Sequence, residues 1–332
     1  MAKQSCCSIT PVSIIYLDKL KLLSIPGNTF ILKTILIIGF ASLIAFPIAA
    51  QDSLKILSWN IQMLPSIVKS GGKAKRARAI AAQLNQRNYD AVVFQELFHK
   101  RSRRIITNGL KENYPNHTPI LNKKFLALKT NGGVMLFSKH PIKEVHQIRF
   151  KDRQGFDRMA RKGALMVELD VHGKSIQVIG THLQAFSTQE ILYSQYRQLS
   201  DELLSSHEKD AVPQFICGDF NTLKVLPPKL PANISQDFIN RLPRYQFMLQ
   251  TLDAQDGDLS GEQQFTMDRP YNDLCETRKE YRLLLDYILI RPQGFKNYAI
   301  RRQVQIMRAQ WHKEHQDLSD HFGLEATVTG FE

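Results

Sequence analysis

An apolar run in the second half of the chain ends in two polar side chains of types that could bind a metal ion and a phosphate. Residues 215–218 are predicted to form a buried strand, and Asp219 and Asn221 follow it. Because side chains alternate along a strand, both should face one pocket. The carboxylate could orient a water molecule while the carboxamide donates to a phosphate oxygen. The same pair also fits an Asx turn that only closes a strand.

Other apolar runs end next to polar side chains of the same kinds. In chain order these are Asn60 after residues 54–59, Glu96 after residues 91–95, His182 after residues 176–181, and Asp320 with His321 before the last strand. Strand ends and loops build sites on a rigid scaffold, so we expect these side chains to converge. Glu96 is the hardest to explain structurally, since a buried carboxylate is costly unless it is paired or metal-bound. A histidine at a strand end, by contrast, is more often a hydrogen-bonded capping residue than a catalyst.

Strands and helices alternate around these positions. Helices are predicted over residues 73–86, 100–112 and from Ser187 to about His207, and strands over residues 90–94, 134–138, 164–170, 175–182, 283–290 and 322–328. The polar segment 255–282 should lie over the site or be mobile. This order roughly repeats once. It predicts an α/β (α+β) fold in which two mixed β-sheets pack face to face between helices.

The charge of the chain favours an anionic partner. The net charge is +13, and residues 1–50 carry four lysines and one aspartate, so residues 51–332 carry +10. Nucleic acid and an acidic membrane surface both fit this excess. We expect the basic residues of the first helix, including Lys73 and Arg76, to form a solvated face. The same surface position is expected for Arg103–Arg104 and Arg301–Arg302.

The first 50 residues have the pattern of an export signal. Lys33 precedes an uncharged, mostly apolar segment, residues 34–50, that ends in small residues. This pattern predicts cleavage after Ala50 and a catalytic domain over residues 51–332. The segment could instead remain as a membrane anchor. Beyond it, Cys217 and Cys275 give neither paired spacing nor a cysteine and histidine cluster, so we expect no disulfide framework and no zinc site.

The order of the polar residues carries a family resemblance. Over residues 54–328 the chain resembles the endonuclease/exonuclease/phosphatase superfamily of metal-dependent phosphodiesterases. The residues that carry this resemblance are, in chain order, Asn60, Glu96, His182, Asp219 with Asn221, Asp286 and Asp320–His321. Within this superfamily, the chain is similar to bacterial neutral sphingomyelinases (sphingomyelinase C) in residues 60–65, 76–80, 108–118, 161–163 and 180–185. The resemblance implies a DNase-like four-layer α/β/β/α sandwich and a divalent cation, usually Mg2+.

The resemblance also implies a role for each metal-site and base residue. Glu96 would be the principal metal ligand, with Asn60 beside it, a hard oxygen set suited to magnesium. His321 would be the general base that takes a proton from water. Asp286 would orient its imidazole, and Asp320 precedes it as a further catalytic candidate.

The remaining candidates would act on the phosphate. His182 would bind phosphoryl oxygens or assist the leaving group, and Asp219 with Asn221 would position water and phosphate. Lys162 is an added substrate contact. Together these residue types match what phosphodiester hydrolysis needs: an activated water, neutralised oxygens and a stabilised leaving group.

The resemblance predicts a secreted hydrolase that converts sphingomyelin into ceramide and phosphocholine. Its partner would be a sphingomyelin-containing membrane surface, with nucleic acid less favoured, no protein partner and a monomeric chain. Trp311 could contact the headgroup layer or could belong to the core. Two alternatives remain, a secreted magnesium-dependent nuclease of the same fold and a membrane-binding effector with a degenerate site.

Overall fold

Two facing β-sheets organise the described part of the chain, which in the computed structural model comprises residues 53–66, 71–123, 130–185, 188–226, 241–275 and 281–330. The predicted signal and its cleavage position at Ala50 lie outside these residues. Within the described ranges, no helix is both long and apolar enough to cross a membrane.

The first sheet holds the strands that end at Asn60 and just before Glu96. In spatial order it contains β3 (Asn116–His117), β4 (Met135–Ser138), β2 (Ala91–Gln95), β1 (Leu54–Asn60), β14 (Gly323–Thr329), β13 (Ala299–Gln305) and β9 (Leu259–Ser260). Strands β1 and β2 are parallel, with Asn60 opposite Gln95. Both strands therefore deliver their last side chains to the same edge of the sheet.

The second sheet holds the strands that end at His182 and Asp219. In spatial order it contains β12 (Asp286–Arg291), β8 (Gln214–Asp219), β7 (Lys174–His182), β6 (Gly163–Val171) and β5 (Ile142–Arg149). Strands β7 and β8 are parallel, with His182 opposite Asp219. The antiparallel β12 begins at Asp286, also opposite Asp219. A short ribbon pairs β10 (Met267–Asp268) with β11 (Arg282–Leu283).

Helices cover the outer face of each sheet. Helices α1 (Lys73–Asn85) and α2 (Lys100–Leu110) pack on the first sheet through a buried cluster that joins Ile80 and Ile106 to Phe94. Helices α3 (Gln189–Leu199) and α4 (Arg241–Leu252) pack on the second sheet, and α3 continues through a π turn and a 3-10 turn to His207. The predicted four-layer sandwich is confirmed.

The two sheets meet across an apolar core and approach closely at one glycine. This core contains Val93 of the first sheet and Val134, which directly precedes β4. From the second sheet it contains Val178 and Phe215. A Cβ on Gly180 would lie 2.7 Å from Val93 Cγ1 and 2.9 Å from Val134 Cγ1, closer than side chains tolerate. Glycine at position 180 is therefore required for the observed spacing between the sheets.

The hairpin of β6 and β7 and the helix that ends at His207 are as predicted, although Ser187 lies outside the described residues.

Other sequence predictions need correction. Strands β5 and β13 were not predicted. The surface assignment of Arg302 is wrong, because its side chain is buried and its Nε donates to the Ile288 carbonyl at 2.8 Å. Arg103 is half-buried and donates to the Leu97 and Phe98 carbonyls.

Candidate active site

Asn60 connects the ends of the two sheets. Its Nδ2 donates to Glu96 Oε1 at 3.1 Å and to Asp219 Oδ2 at 3.1 Å. Its Oδ1 accepts from the backbone N–H of Gln62 at 3.2 Å. Because one amide bridges a carboxylate from each sheet, the predicted convergence of strand ends is present at this point. In this orientation the Asn60 oxygen faces its own loop, and its NH2 faces the two carboxylates.

The two bridged carboxylates are strongly perturbed. Burial, followed by the nearby Asp320 carboxylate, raises the pKa of Glu96 to about 7. Burial, followed by Asp286, raises the pKa of Asp219 to about 6. Glu96 also has φ 56, a left-handed conformation that is uncommon outside glycine and recurs at functional sites. Crowded, desolvated carboxylates of this kind need a nearby cation to remain ionised.

His321 and Asp286 form a buried hydrogen-bonded pair. His321 Nδ1 lies 2.8 Å from Asp286 Oδ2, and their side chains are 4% and 0% exposed. Burial lowers the pKa of His321, but the Asp286 carboxylate, helped by Asp219, outweighs it and raises that pKa well above its ordinary value. The other ring nitrogen, Nε2, lies 3.9 Å from Asp219 Oδ2, so it faces the site.

Backbone contacts fix both members of this pair. Thr266 Oγ1 accepts from the N–H groups of Leu285 and Asp286, at 3.2 and 3.3 Å, and its carbonyl accepts from the N–H of Phe322 at 2.7 Å. Trp59 Nε1 donates to the His321 carbonyl at 2.9 Å. Thr266 was not predicted, because a single threonine in a polar segment has no distinguishing pattern. Thr266 lies against the site, as expected for its polar segment, whereas Gln255 pairs with Ile290 near the opposite end of β12.

His182 is buried beside Asp219. Its side chain is 4% exposed, and its Nε2 lies 3.6 Å from Asp219 Oδ2. Its Nδ1 has no hydrogen-bond partner among the described residues. Burial, followed by the positive charge of Lys162, lowers the pKa of His182 well below its ordinary value, so this imidazole is neutral. It could exchange a hydrogen bond with a bound group.

Lys162 and Asn221 meet at one carbonyl group. Lys162 Nζ donates to Leu183 O at 3.0 Å and to Asp157 Oδ2 at 2.8 Å. Asn221 Nδ2 donates to the same Leu183 oxygen at 3.3 Å, and its backbone N–H donates to Asp219 Oδ1 at 3.1 Å. The Asx turn is therefore present, together with a side chain near the site. Asp157, which pairs with Lys162, was not predicted.

The loops on the other side of the site are held by Arg76. Gln62 Nε2 donates to Asp320 Oδ2, while Arg76 donates to Gln62 O at 2.6 Å and to Leu318 O at 3.1 Å. The Arg76 side chain is 3% exposed, so its predicted solvated position is wrong. Arg76 precedes Ile80 by four residues and therefore lies on the buried face of helix α1. Lys73 precedes Ala77 by four residues and is buried on the same face, so its predicted solvated position is wrong as well.

Trp311 is half-buried beside the same arginine. Its Nε1 donates to Asp317 O at 2.8 Å, and the Arg76 guanidinium lies 5.7 Å from the ring centroid. One side of the ring therefore packs against helix α1. Trp311 packs against the apolar cluster between the helices and the first sheet, as the core alternative predicts, and the contact with the headgroup layer stays a prediction.

One stretch used for the sphingomyelinase resemblance lies away from the site. Tyr114 is buried, and its hydroxyl donates to Arg87 O at 3.3 Å. Asn116 pairs with Ser138, which pairs with Ala91 at the end of β2 opposite to Glu96. Residues 114–118 therefore do not line the site. Residues 183–185, in contrast, directly adjoin it.

The residues present fit a divalent cation. Asp219, Asp286 and His321 are buried and offer ligand atoms that all lie within 4.8 Å of one another. Asp286 Oδ1 has no hydrogen-bond partner among the described residues, and Glu96 is joined to the group through Asn60. An oxygen-rich set with surplus negative charge suits magnesium.

Known proteins resemble this chain in sequence and in fold. A phospholipase C of Staphylococcus aureus is 30% identical over 196 residues, covering 53% of this chain and 59% of that protein, so the chain spans less than two thirds of that relative. A sphingomyelinase C of Bacillus cereus is 26% identical over 312 residues, covering 84% of this chain and 90% of that protein. A crystal structure of a Staphylococcus aureus beta toxin mutant with bound magnesium ions has a TM-score of 0.70 at 25% identity, covering 83% of this chain and 99% of that chain.

These comparisons confirm the predicted resemblance. The family and the sphingomyelinase C relatives also support the predicted class of enzyme, a phosphodiester hydrolase. The family model described as endonuclease/exonuclease/phosphatase family matches residues 57–321, most of the chain. The chain therefore belongs to the endonuclease/exonuclease/phosphatase family.

Proposed function

We propose that the chain is a secreted, metal-dependent phosphodiesterase that hydrolyses sphingomyelin to ceramide and phosphocholine. The buried His321–Asp286 pair facing Asp219 carries this proposal, because it supplies a base beside a cluster of carboxylates. The choice of sphingomyelin rests on relatives named sphingomyelinase C.

His321 is the base in this mechanism. Nε2 takes a proton from a water that attacks phosphorus, while Asp286 holds Nδ1 and stabilises the imidazolium that forms. The bond from phosphorus to the ceramide oxygen breaks, that oxygen takes up a proton to give ceramide, and phosphocholine leaves. The His321 imidazolium then returns its proton to solvent. Asp219, 3.9 Å from Nε2, is placed to orient the attacking water.

The opposite wall of the site handles the phosphate and the leaving group. His182 is neutral and has an unpartnered ring nitrogen, so it can donate to a phosphoryl oxygen or to the departing oxygen. Asn221 lies beside it on the Leu183 carbonyl. Lys162 shares that carbonyl and is paired with Asp157, so its main contribution is positive potential.

A divalent cation completes the site. We propose Mg2+, held by Glu96 with Asn60 beside it, and Asp219, Asp286 and Asp320 within its field. The ion would neutralise phosphoryl oxygens and stabilise the leaving alkoxide. The raised pKa values of Glu96 and Asp219 support this assignment, because both carboxylates would be relieved by a bound cation.

The substrate lies in a membrane surface, and we propose that the enzyme works there as a secreted monomer. The net charge of +10 over residues 51–332 favours a bilayer that contains acidic lipids. Half-buried Trp311 is the proposed contact with the headgroup layer. Secretion through a signal that ends near Ala50 is part of the same proposal.

A parallel assay tests the substrate. The purified protein is incubated with sphingomyelin vesicles and with supercoiled plasmid, each with Mg2+ or with EDTA. We expect phosphocholine release that requires Mg2+, and a rate that acidic lipid raises at low salt and NaCl lowers again. His321→Ala, purified identically, controls for contaminating nucleases.

The alternatives predict different outcomes of this assay. If the protein nicks plasmid at concentrations that release no phosphocholine, it is a nuclease. If it binds vesicles but hydrolyses neither substrate, it is a degenerate effector. The complete set of polar groups around Asp219 argues against the second case.

A further inference from the structure

A second group of metal-ligating side chains lies on a surface turn, outside the site described above. His312, Glu314 and His315 offer ligand atoms that all lie within 4.8 Å of one another. We propose that this turn binds a transition-metal ion, with Zn2+ as the representative case. The prediction of no zinc site was based on the cysteines, and a site built from two histidines and a glutamate has no cysteine.

The backbone holds the two histidines together. The N–H of His312 faces the His315 carbonyl at 3.4 Å, and the N–H of His315 faces the His312 carbonyl at 3.4 Å. The two imidazole rings are stacked, with centroids 5.1 Å apart. A short closed turn therefore presents both ligands on one side before any ion arrives. Tetrahedral zinc needs ligand atoms roughly 3.3 Å apart, given zinc–nitrogen bonds of about 2.0 Å, so small side-chain rotations suffice.

Asp273 lies beside the second histidine. Its Oδ1 lies 3.4 Å from His315 Nδ1, and its Oδ2 accepts from the N–H groups of Gln316 and Asp317 at 2.8 and 3.3 Å. A carboxylate beside Nδ1 leaves Nε2 of His315 available. Neither Asp273 Oδ1 nor His315 Nδ1 has a hydrogen-bond partner among the described residues. Metal-binding histidines commonly donate their other ring N–H to a carboxylate, and Asp273 is close enough to accept such a bond once the ion fixes the ring.

The turn rests on a fixed support. The ring of Trp311 stacks on His315, with centroids 5.8 Å apart, and its Nε1 donates to Asp317 O at 2.8 Å. His312, His315 and Asp273 help to line a cavity of about 480 Å³, whose other wall includes Lys73 and Arg76. His312 and His315 are half-exposed and Glu314 is exposed, so an ion can enter from solvent.

The ligand types select the class of metal. Two imidazoles with one carboxylate favour Zn2+ or another borderline transition ion over Mg2+, which prefers oxygen donors. The proposed magnesium site is rich in oxygen, so the two sites differ in selectivity. An ion on the turn would hold the segment that continues through Asp317 to His321.

Zinc binding by the full chain tests this proposal. Equilibrium dialysis with Zn2+ in the presence of excess Mg2+ measures bound zinc per chain. We expect the double substitution His312→Gln with His315→Gln to bind one zinc ion fewer than the wild type. Lys313→Gln removes no ligand but only a cation 3.8 Å from Glu314 Oε1, so this variant should bind at least as much zinc as the wild type. Glu314→Gln should bind the ion at least about tenfold more weakly.

Thermal unfolding provides a second measurement. Zinc should raise the Tm of the wild type and of Lys313→Gln, and this shift should disappear in the double variant. Equal Tm values without zinc would show that the substitutions leave the fold intact. The proposal is overturned if the double variant binds as much zinc as the wild type, or if Lys313→Gln loses as much zinc as the double variant.

Discussion

Asp286→Asn tests whether His321 works as a base held by a buried carboxylate. The substitution keeps the shape of the side chain but removes the charge that faces His321 Nδ1 at 2.8 Å. Without that charge the imidazolium is less stable, and the amide can present its NH2 to Nδ1 and favour the wrong tautomer. Both effects should lower turnover while the fold persists.

The structure sets the size of this loss. Both side chains are at most 4% exposed, so the hydrogen bond is formed away from water. A hydrogen bond to a charged group contributes about 1.5–3 kcal/mol. Since about 1.4 kcal/mol corresponds to tenfold in rate, kcat should fall about 10- to 150-fold. His321→Ala removes the base itself and should lower kcat about 10²- to 10⁴-fold.

Phosphocholine release measured from pH 5 to 9 checks both the magnitude and its cause. Because Asp286 raises the pKa of His321, Asp286→Asn should move the acid limb of kcat/KM to lower pH. The double variant should be no slower than His321→Ala, since the two groups act as one unit. Asp258→Asn, at a 99% exposed side chain, is the matched control and should leave the profile unchanged. Losses that multiply in the double variant would refute the pairing.

Three further predictions concern the cation and the loops around it. Glu96→Gln should lower turnover at least about 100-fold with an unchanged circular dichroism spectrum, and EDTA should do the same to the wild type; full activity in either case excludes Glu96 as a metal ligand. In EDTA the raised pKa values of Glu96 and Asp219, about 7 and 6, stabilise the fold at low pH, and this contribution is lost as pH rises through those values. The Tm in EDTA should therefore be lower at pH 8 than at pH 5, and Mg2+ should restore it; a flat profile would contradict the raised values. Arg76→Met leaves the carbonyls of Leu318 and Gln62 unpaired and should lower the free energy of unfolding, measured in urea, by about 2–4 kcal/mol. Arg76→Lys should be closer to the wild type. Equal stability of Arg76→Met and the wild type would show that Arg76 does not anchor these loops.

The sequence predicted those parts of the fold that depend on local patterns. Apolar runs ending in Asn60, His182 and Asp219 predicted strands, and parallel pairing then placed their ends together. Strand β5 was missed because it is an edge strand with many exposed polar residues, which lack the continuous apolar pattern of the central strands. Strand β13 was missed because arginines interrupt its apolar positions.

Partners that are distant in sequence could not be predicted. The position of Arg76 depends on carbonyl groups of two loops, one of them 242 residues away. Arg302 is buried for the same reason, since its partner is the carbonyl of Ile288 in the other sheet. Thr266 holds Asp286 through its hydroxyl oxygen and Phe322 through its carbonyl, and a single threonine in a polar segment does not reveal such partners. Charge and hydropathy do not distinguish such residues from solvated ones.

The glycine between the sheets makes catalysis depend on the thickness of the core beneath the site. Asn60 and Glu96 belong to one sheet, and Asp219 and His182 to the other, so their separation follows the thickness of the core at Gly180. A slight swelling of that core would separate the two halves of the site while leaving every strand intact. Loss of activity in mild denaturant should therefore precede loss of secondary structure, and enzymatic rate would report how tightly the sandwich is closed.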